Sequence, residues 1–359
     1  MTMIRSVLRG MGHALPERMV ENAELETIVD TTDAWIRSRS GIERRHFAAE
    51  GQTTSDLATD AARAALADAG MDVSDIDAIV VATSTPDTTF PSVATMVQGN
   101  LGMTTGFAFD VQAVCAGFVF AMSNADALIK SGQAKRVLVI GAETFSRIMN
   151  WEDRTTCVLF GDGAGAVVLE AAEGEGTTQD AGILATDLNS DGSYRDLLYV
   201  DGGVSKTQTT GVLVMQGKEV FRHAVEKLAK TAEAALAKVG LSDDDVDWVV
   251  PHQANFRILD ATARKLGLGM DKVVVTVDRH ANTSAASVPL AFDEAWRDGR
   301  IKRGHVRRLT ALHIIASAQC NGQSGHRGSC PLFINSLQID AFQIDRLQPL
   351  NDVTHDCLL

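Results

Sequence analysis

The chain repeats itself at a spacing of 170 residues, and that repeat constrains its fold more than any other feature. The first copy reads Ala62-Arg-Ala-Ala-Leu66-Ala-Asp-Ala-Gly70 and continues into Asp75-Ile-Asp77-Ala-Ile-Val80. The second reads Ala232-Glu-Ala-Ala-Leu236-Ala-Lys-Val-Gly240, then Asp245-Val-Asp247-Trp-Val-Val250. Each is a run of strong helix formers closed by a glycine, which can take the left-handed backbone that ends a helix. Each passes through a short acidic turn into a short apolar strand. Two Ala-rich helices could match by accident. The shared glycine, the paired aspartates and the following strand argue against accident. A helix followed by a buried strand, present twice, predicts an α/β fold of two similar halves. The halves are residues 1–175 and 176–308, joined near Gly174-Glu-Gly-Thr-Thr-Gln-Asp180, with residues 309–359 as a tail.

Further short apolar runs at residues 107–111, 136–140, 164–169 and 273–277 read as strands. Gly161-Asp-Gly-Ala-Gly165 lacks the Lys-Ser/Thr of a phosphate loop and the spacing of a dinucleotide fingerprint, so it reads as a turn built for close backbone packing. A length of 359 residues is ample for a large core. No run of about 18 uncharged apolar residues occurs, and the N-terminus lacks a signal-peptide pattern, so a cytoplasmic protein without membrane association is expected. A net charge of −13 disfavours nucleic acid as a partner. Five cysteines in a chain this long do not form a disulfide framework.

Three short motifs carry chemistry-bearing side chains: Asp110-Val-Gln-Ala-Val-Cys115-Ala-Gly-Phe, Val250-Pro-His252-Gln-Ala-Asn255 and Asn282-Thr-Ser-Ala-Ala-Ser287. Cys115 ends an apolar run and opens a helical one, which puts its thiol at a helix N-terminus. The helix dipole there favours thiolate, the form that accepts an acyl group. A structural buried cysteine is the ordinary alternative, and Cys157, inside Thr156-Cys-Val-Leu-Phe160, is read that way. His252 follows the strand of the second repeat, where α/β sheets place their sites, although a loop histidine is an equally ordinary reading. Asn282 opens a loop entering a helix, and on local evidence alone it is a helix cap.

Taken jointly, the motifs resemble the thiolase-fold condensing enzymes, and within them the β-ketoacyl-[acyl-carrier-protein] synthase III family, which initiates type II fatty acid synthesis. The resemblance covers about residues 4–308. It includes Thr31-Thr-Asp-Ala-Trp35-Ile-Arg-Ser-Arg39-Ser-Gly-Ile42, Phe90-Pro-Ser92, Ala142-Glu-Thr, Leu159-Phe-Gly-Asp-Gly-Ala-Gly-Ala166 and Gly217-Lys-Glu-Val-Phe221. It implies a five-layered α-β-α-β-α body made of two duplicated halves, and a homodimer. It implies decarboxylative condensation of acetyl-CoA with malonyl-acyl-carrier-protein through an acyl-Cys115 intermediate, with His252 and Asn282 completing the triad. Elongating relatives use two histidines in place of His and Asn. No metal or other cofactor is implied.

By the same resemblance, Trp35 and Arg154 flank the CoA adenine, Arg39 and Ser40 meet the nucleotide and pantetheine end, and Asn255 bonds the pantetheine arm. Phe160, Met215 and Phe221 line the acyl pocket, with Phe90 reaching across the dimer. Ordinary core packing explains Met215 and Phe221 as well. Arg222, Arg257, Arg264 and Lys265 would form a basic patch for the acidic carrier protein, since Arg257 and Arg264, seven apart, share a helix face.

The family's ending, a strand, a triple-glycine turn and a final strand, is not found after Lys302-Arg-Gly-His305. The tail instead looks like the product of a reading-frame change near Arg307. Loss of one oxyanion donor and an open sheet edge are expected from it. Cys320, His326, Cys330, His355 and Cys357 match no compact zinc spacing. Ala281 stands where relatives often have glycine. Two other readings stay open: a relative that takes a branched or longer primer, and an inactive thiolase-fold scaffold.

Overall fold

A computed structural model describes residues 2–301, together with the backbone of three short tail strands, Arg308–Leu309, Ile314–Ala316 and Leu332–Leu337. The first sheet contains β1 (Met3–Ala14), β2 (Ala78–Ala82), β3 (Phe107–Val111), β4 (Arg136–Thr144) and β5 (Asp162–Gly174). Their order across the sheet is β1-β5-β4-β2-β3. The β2 strand pairs in parallel with β3 and β4, and β5 runs antiparallel to both β4 and β1.

Side chains alternate faces along these strands, as the pleat requires. Val80, Val139 and Val167 face one cluster, which also contains Phe118, Phe292 and, from later in the chain, Ile183, Val250 and Val274. Ile79, Val81, Leu138 and Val168 face the other, beneath α2 (Thr54–Ala69) and α3 (Val93–Leu101). A sheet with both faces buried needs a helical layer on each side. The inner layer consists of α4 (Gly117–Lys130) and α7 (Ser287–Arg297), which bring Phe118, Met122, Val288 and Phe292 to the core. Each such large side chain removed from water contributes about 1.5–3 kcal/mol. Beyond it lie β6 (Gly182–Leu188), β7 (Trp248–Val249) and the chain around Val250 and Val274. The outermost layer is α5 (Gly217–Ala237) and α6 (Phe256–Lys265), packed through Ala232, Leu236, Val249 and Ala263. The result is the expected α-β-α-β-α stack.

The repeat is visible in the backbone. Helix α2 is closed by Gly70 at φ 64°, and α5 is followed by Gly240 at φ 69°. The acidic turns that follow are matching single 3-10 turns, Val73–Asp75 and Asp243–Asp245. In each, the third residue, an aspartate, accepts from the backbone N–H just before the turn: Asp72 N to Asp75 Oδ2 and Ser242 N to Asp245 Oδ2, both 3.0 Å. The copies then enter β2 and β7. At the junction, Asp180 accepts from Glu175 N and Gly176 N and forms a buried ion pair with Arg5 at 2.9 Å.

Three expectations change. Residues 273–277 are not a strand: Val273 makes one isolated parallel bridge to Val249, and a helical turn begins at Val277. The glycines of 161–165 do pack closely, but leading into and along β5 instead of in a turn. A Cβ on Gly161 would stand 2.7 Å from His280 O, and one on Gly165 would stand 2.7 Å from Pro289 Cβ. Strand β1 was not anticipated, because Arg5, Arg9 and His13 and two glycines break up its apolar pattern. The readings that rest on residues 302–307, 310–313, 317–331 and 338–359, the zinc candidates included, lie outside the described residues. Of the tail's backbone, Ile314–Ala316 pairs antiparallel with β7, and Leu332–Leu337 pairs in parallel with β6. No helix among the described residues is long and apolar enough to cross a membrane.

Candidate active site

One six-residue segment, Asn282 to Ser287, touches everything the three motifs supply. Asn282 is its first residue, its Ser284–Ala286 turn packs against the turn that carries Cys115, and the Ser287 hydroxyl lies 2.6 Å from His252 Nδ1. Glycines allow the segment to press this close to the sheet. Gly141 on β4 and Gly165 on β5 are register partners. A Cβ on Gly141 would stand 2.3 Å from Ala285 O, inside any real contact.

The backbone here is strained. Four non-glycine residues among those described have positive φ, and three of them adjoin the site: Val114 (48°), Ala281 (58°) and Ser284 (49°). Val114, a β-branched residue in that region, is an outlier that surrounding structure must enforce. Ala281, at φ 58° and ψ −159°, occupies a region that glycine normally holds. Such residues cluster where a fold holds functional side chains in fixed positions.

Cys115 lies in a 3-10 turn, Val114–Ala116, that leads into α4. The helix-start placement therefore holds, but the thiolate expectation does not. Burial pushes the thiol up to about 12, with the Glu143 charge adding to the rise and the Ser284 hydrogen bond opposing it. The resting group is a neutral thiol.

Burial alone pushes His252 down to about 4, so its ring is neutral near pH 7. The Ser287 hydroxyl accepts from Gln253 N at 3.3 Å and has its proton and a second lone pair free to face His252 Nδ1. In the tautomer in which the hydroxyl donates to Nδ1, the ring proton sits on Nε2, the nitrogen that can donate outward. Gln253 fixes the loop by using its whole carboxamide. It donates to Pro251 O and Val274 O and accepts from Thr276 N and Val277 N.

Asn282 does not cap α7. Its Oδ1 accepts from Ser284 N at 2.9 Å, and its backbone is stitched to Leu159 O and Gly161 N. With the oxygen occupied, the NH2 group is the end that remains to donate. The site thus holds a neutral thiol, a neutral imidazole N–H and an amide N–H. His280, two residues away, is half-buried and also neutral, pushed down to about 3 by desolvation first, and its buried Nδ1 has no partner among the described residues.

The other expected residues divide into groups. Arg154 lies over the Trp35 ring at 5.2 Å and Arg39 at 5.9 Å, so these three come together at α1 (Asp33–Ser40). Ser40 does not join them: it is buried, donates to Ile36 O and accepts from Ile42 N. Asn255 caps α6 through Arg257 N and donates to Arg39 O at 3.1 Å, which ties the His252 loop to α1. Phe160 and Met215 share one apolar cluster, and Phe160 bridges to Asn282 through its backbone. Phe221 is half-buried on α5, outside that cluster. Phe90 is 82% exposed beside a cis bond to Pro91. Arg222, Arg257, Arg264 and Lys265 are all exposed. Arg222 pairs with Glu219 and Arg264 with Asp260, whereas Arg257 and Lys265 form no ion pair among the described residues.

Sequence reading missed the supporting groups Ser287, Ser284, Gln253 and Glu143. Each lies inside or next to a quoted motif, but nothing in a motif says which side chains turn inward.

Comparison with known proteins shows the family. Residues 109–192 match the family described as 3-oxoacyl-[acyl-carrier-protein (ACP)] synthase III, and residues 236–314 match its C-terminal part. The β-ketoacyl-[acyl-carrier-protein] synthase III of Ruegeria pomeroyi is 74% identical over 300 residues, 84% of this chain and 93% of that protein. The protein of the same name from Cereibacter sphaeroides ATCC 17025 is 70% identical over 309 residues, 86% and 95% of the two chains. The crystal structure of 3-oxoacyl-[acyl-carrier-protein] synthase III from Aquifex aeolicus superposes with a TM-score of 0.78 at 44% identity, covering 84% of this chain and 94% of that one. With Cys115, His252 and Asn282 gathered around one segment and relatives this similar over most of its length, this chain belongs to the β-ketoacyl-[acyl-carrier-protein] synthase III family.

Proposed function

We propose that the protein condenses a short acyl-CoA, acetyl-CoA first, with malonyl-acyl-carrier-protein to give acetoacetyl-acyl-carrier-protein, CO2 and CoA. Cys115 takes the acyl group from CoA. Malonyl-acyl-carrier-protein then binds and loses CO2, and negative charge develops on its thioester oxygen. His252 Nε2–H and the Asn282 amide donate to that oxygen, and the enolate carbon attacks the acyl-Cys115 thioester. Two neutral donors suit this step, because they stabilise the enolate without protonating it. The observation that carries the reading is the 282–287 segment, which ties thiol, imidazole and amide to one another through Ser284 and Ser287.

Trp35, Arg39 and Arg154 are assigned to the CoA nucleotide, Asn255 to the pantetheine arm, and Phe160, Met215 and Phe221 to the acyl pocket. Arg222, Arg257, Arg264 and Lys265 are assigned to the carrier protein. The two halves, residues 1–175 and 176–308, contribute the nucleophile and the donor pair respectively. We assign the chain to a homodimer built on β3: Phe107 and Phe90 are exposed, and β3 ends the order of its sheet. We take its compartment to be that of its CoA substrate, the cytoplasm.

Purified protein incubated with radiolabelled acetyl-CoA tests the reading. Label on Cys115, absent from Cys115→Ser, is the expected result. An unlabelled wild-type chain would overturn it.

A further inference from the structure

A buried carboxylate lies behind the nucleophile, and the mechanism above does not use it. Glu143, on β4, is fully buried. Its Oε1 accepts from the Ser284 hydroxyl at 3.1 Å and from Ser84 N at 3.1 Å. Its Oε2 accepts from Thr85 Oγ1 at 2.6 Å, Ser84 N at 3.0 Å and Thr83 Oγ1 at 3.3 Å. Every one of these partners is a neutral hydroxyl or a backbone N–H. They come from the loop after β2 and from the turn at 284–285, and the titratable group facing Glu143 is the Cys115 thiol. A buried carboxylate without a cation is costly, and a purely structural role would be served as well by an amide.

Ser284 connects the two groups. Its hydroxyl donates to Glu143, and its turn, held at a positive φ of 49°, packs against the turn that carries Cys115. Gly141, two residues before Glu143, gives β4 the close approach to Ala285 that this contact requires. We propose that Glu143 is a positioning residue that holds the Cys115 proton through the Ser284 hydroxyl while the sulfur carries an acyl group.

The proposal rests on the function proposed above and balances in both half-reactions. In the first, the Sγ–carbonyl bond forms and the CoA–carbonyl bond breaks. The thiol proton passes to Ser284 Oγ as the Ser284 proton passes to the Glu143 carboxylate, and the CoA thiolate leaves with a proton from solvent. In the second, the enolate carbon bonds to the acyl carbon and the Sγ–acyl bond breaks. The released thiolate recovers its proton from Glu143 by the reverse path. The environment suits the role: burial raises the Glu143 carboxyl to about 7 against hydrogen bonds that lower it, so near neutrality it can both accept and return a proton. His252, pushed down to about 4, is a much weaker acceptor.

The test is rapid-quench acylation of Cys115 by acetyl-CoA between pH 5.5 and 8.5, read by intact mass, for wild type, Glu143→Gln and Ser284→Ala. Wild type is expected to acylate faster as pH rises through about 7. Both variants are expected to acylate at least roughly tenfold more slowly, in line with the loss of a positioned proton acceptor, and with a flat profile over that range. Glu143→Asp is expected to restore part of the rate and the pH-dependent limb. Variants that acylate more slowly but keep the wild-type profile would reduce Glu143 to a structural role and overturn the proposal. So would Ser284→Ala with wild-type kinetics, which decides the matter even if Glu143→Gln fails to fold. Wild-type protein that never acylates would instead overturn the function itself.

Discussion

At the scale of single residues, types and roles are set by different things. The sequence carries the types: a thiol, an imidazole and an amide at 115, 252 and 282. It does not carry their protonation. A helix dipole contributes roughly 0.3–1 kcal/mol, less than one pKa unit at about 1.4 kcal/mol per unit. Burial lifts the thiol from 9.0 to about 12, so it overrides the dipole, and burial cannot be read from one chain position. The donor pair gives the sharpest predictions. Removing the amide in Asn282→Ala should lower condensation turnover by roughly 10²–10³-fold, as loss of one oxyanion donor does, while Cys115 still acylates. Ser287→Ala should lower the same rate, because nothing then biases the His252 proton toward Nε2. A steady-state assay with malonyl-carrier protein checks both, and wild-type turnover in either would remove that group from the donor set.

At the scale of elements, the repeated helix–turn–strand units were legible because propensity, a terminal glycine and an acidic turn all agree over a dozen residues. The 273–277 run was not, since an apolar pentapeptide is equally a buried loop, and here Gln253 supplies the backbone partners that a neighbouring strand would otherwise give. The turn before Asn282 shows what a single substitution can store. Ala281 holds a backbone conformation that costs about 1–3 kcal/mol for a residue with a Cβ. Glycine would release that strain and return about 0.4–1 kcal/mol through the entropy of the unfolded chain. Ala281→Gly should therefore be more stable by about 1 kcal/mol, read as a raised urea midpoint at constant slope. A lowered midpoint would show that the strain is not there. On α6, Arg257 is exposed without an ion-pair partner among the described residues. Arg257→Glu should raise KM for the carrier-protein substrate while acylation by acetyl-CoA stays at wild-type rate. The defect should shrink as salt is added, because the contact is exposed. An unchanged KM would remove α6 from the docking surface.

At the scale of the whole molecule, the buried ionisable groups fix a pH window. His252 and His280 titrate near 4 and 3 in the folded chain but near 6.5 when unfolded. Between those values the unfolded chain binds protons that the folded one excludes, so their stabilisation is complete above about 6.5 and is lost as pH falls toward 3. Glu143 acts in the opposite sense. Its folded value of about 7 lies above 4.5, so its contribution is complete below 4.5 and lost as pH rises through 7. Two groups against one predict a thermal midpoint that is highest near pH 6–7 and drops several degrees by pH 4.5, measurable by calorimetry. A flat profile would mean that these groups are wetter than their packing indicates.

The inner layer has a consequence of its own. Phe118 of α4 and Phe292 of α7 sit in one cluster with valines of the first sheet and with Ile183, Val250 and Val274 from the far side. Neither half keeps a complete interior; each borrows the other's filling. Separating the chain at the junction would therefore yield two insoluble fragments in place of two small proteins.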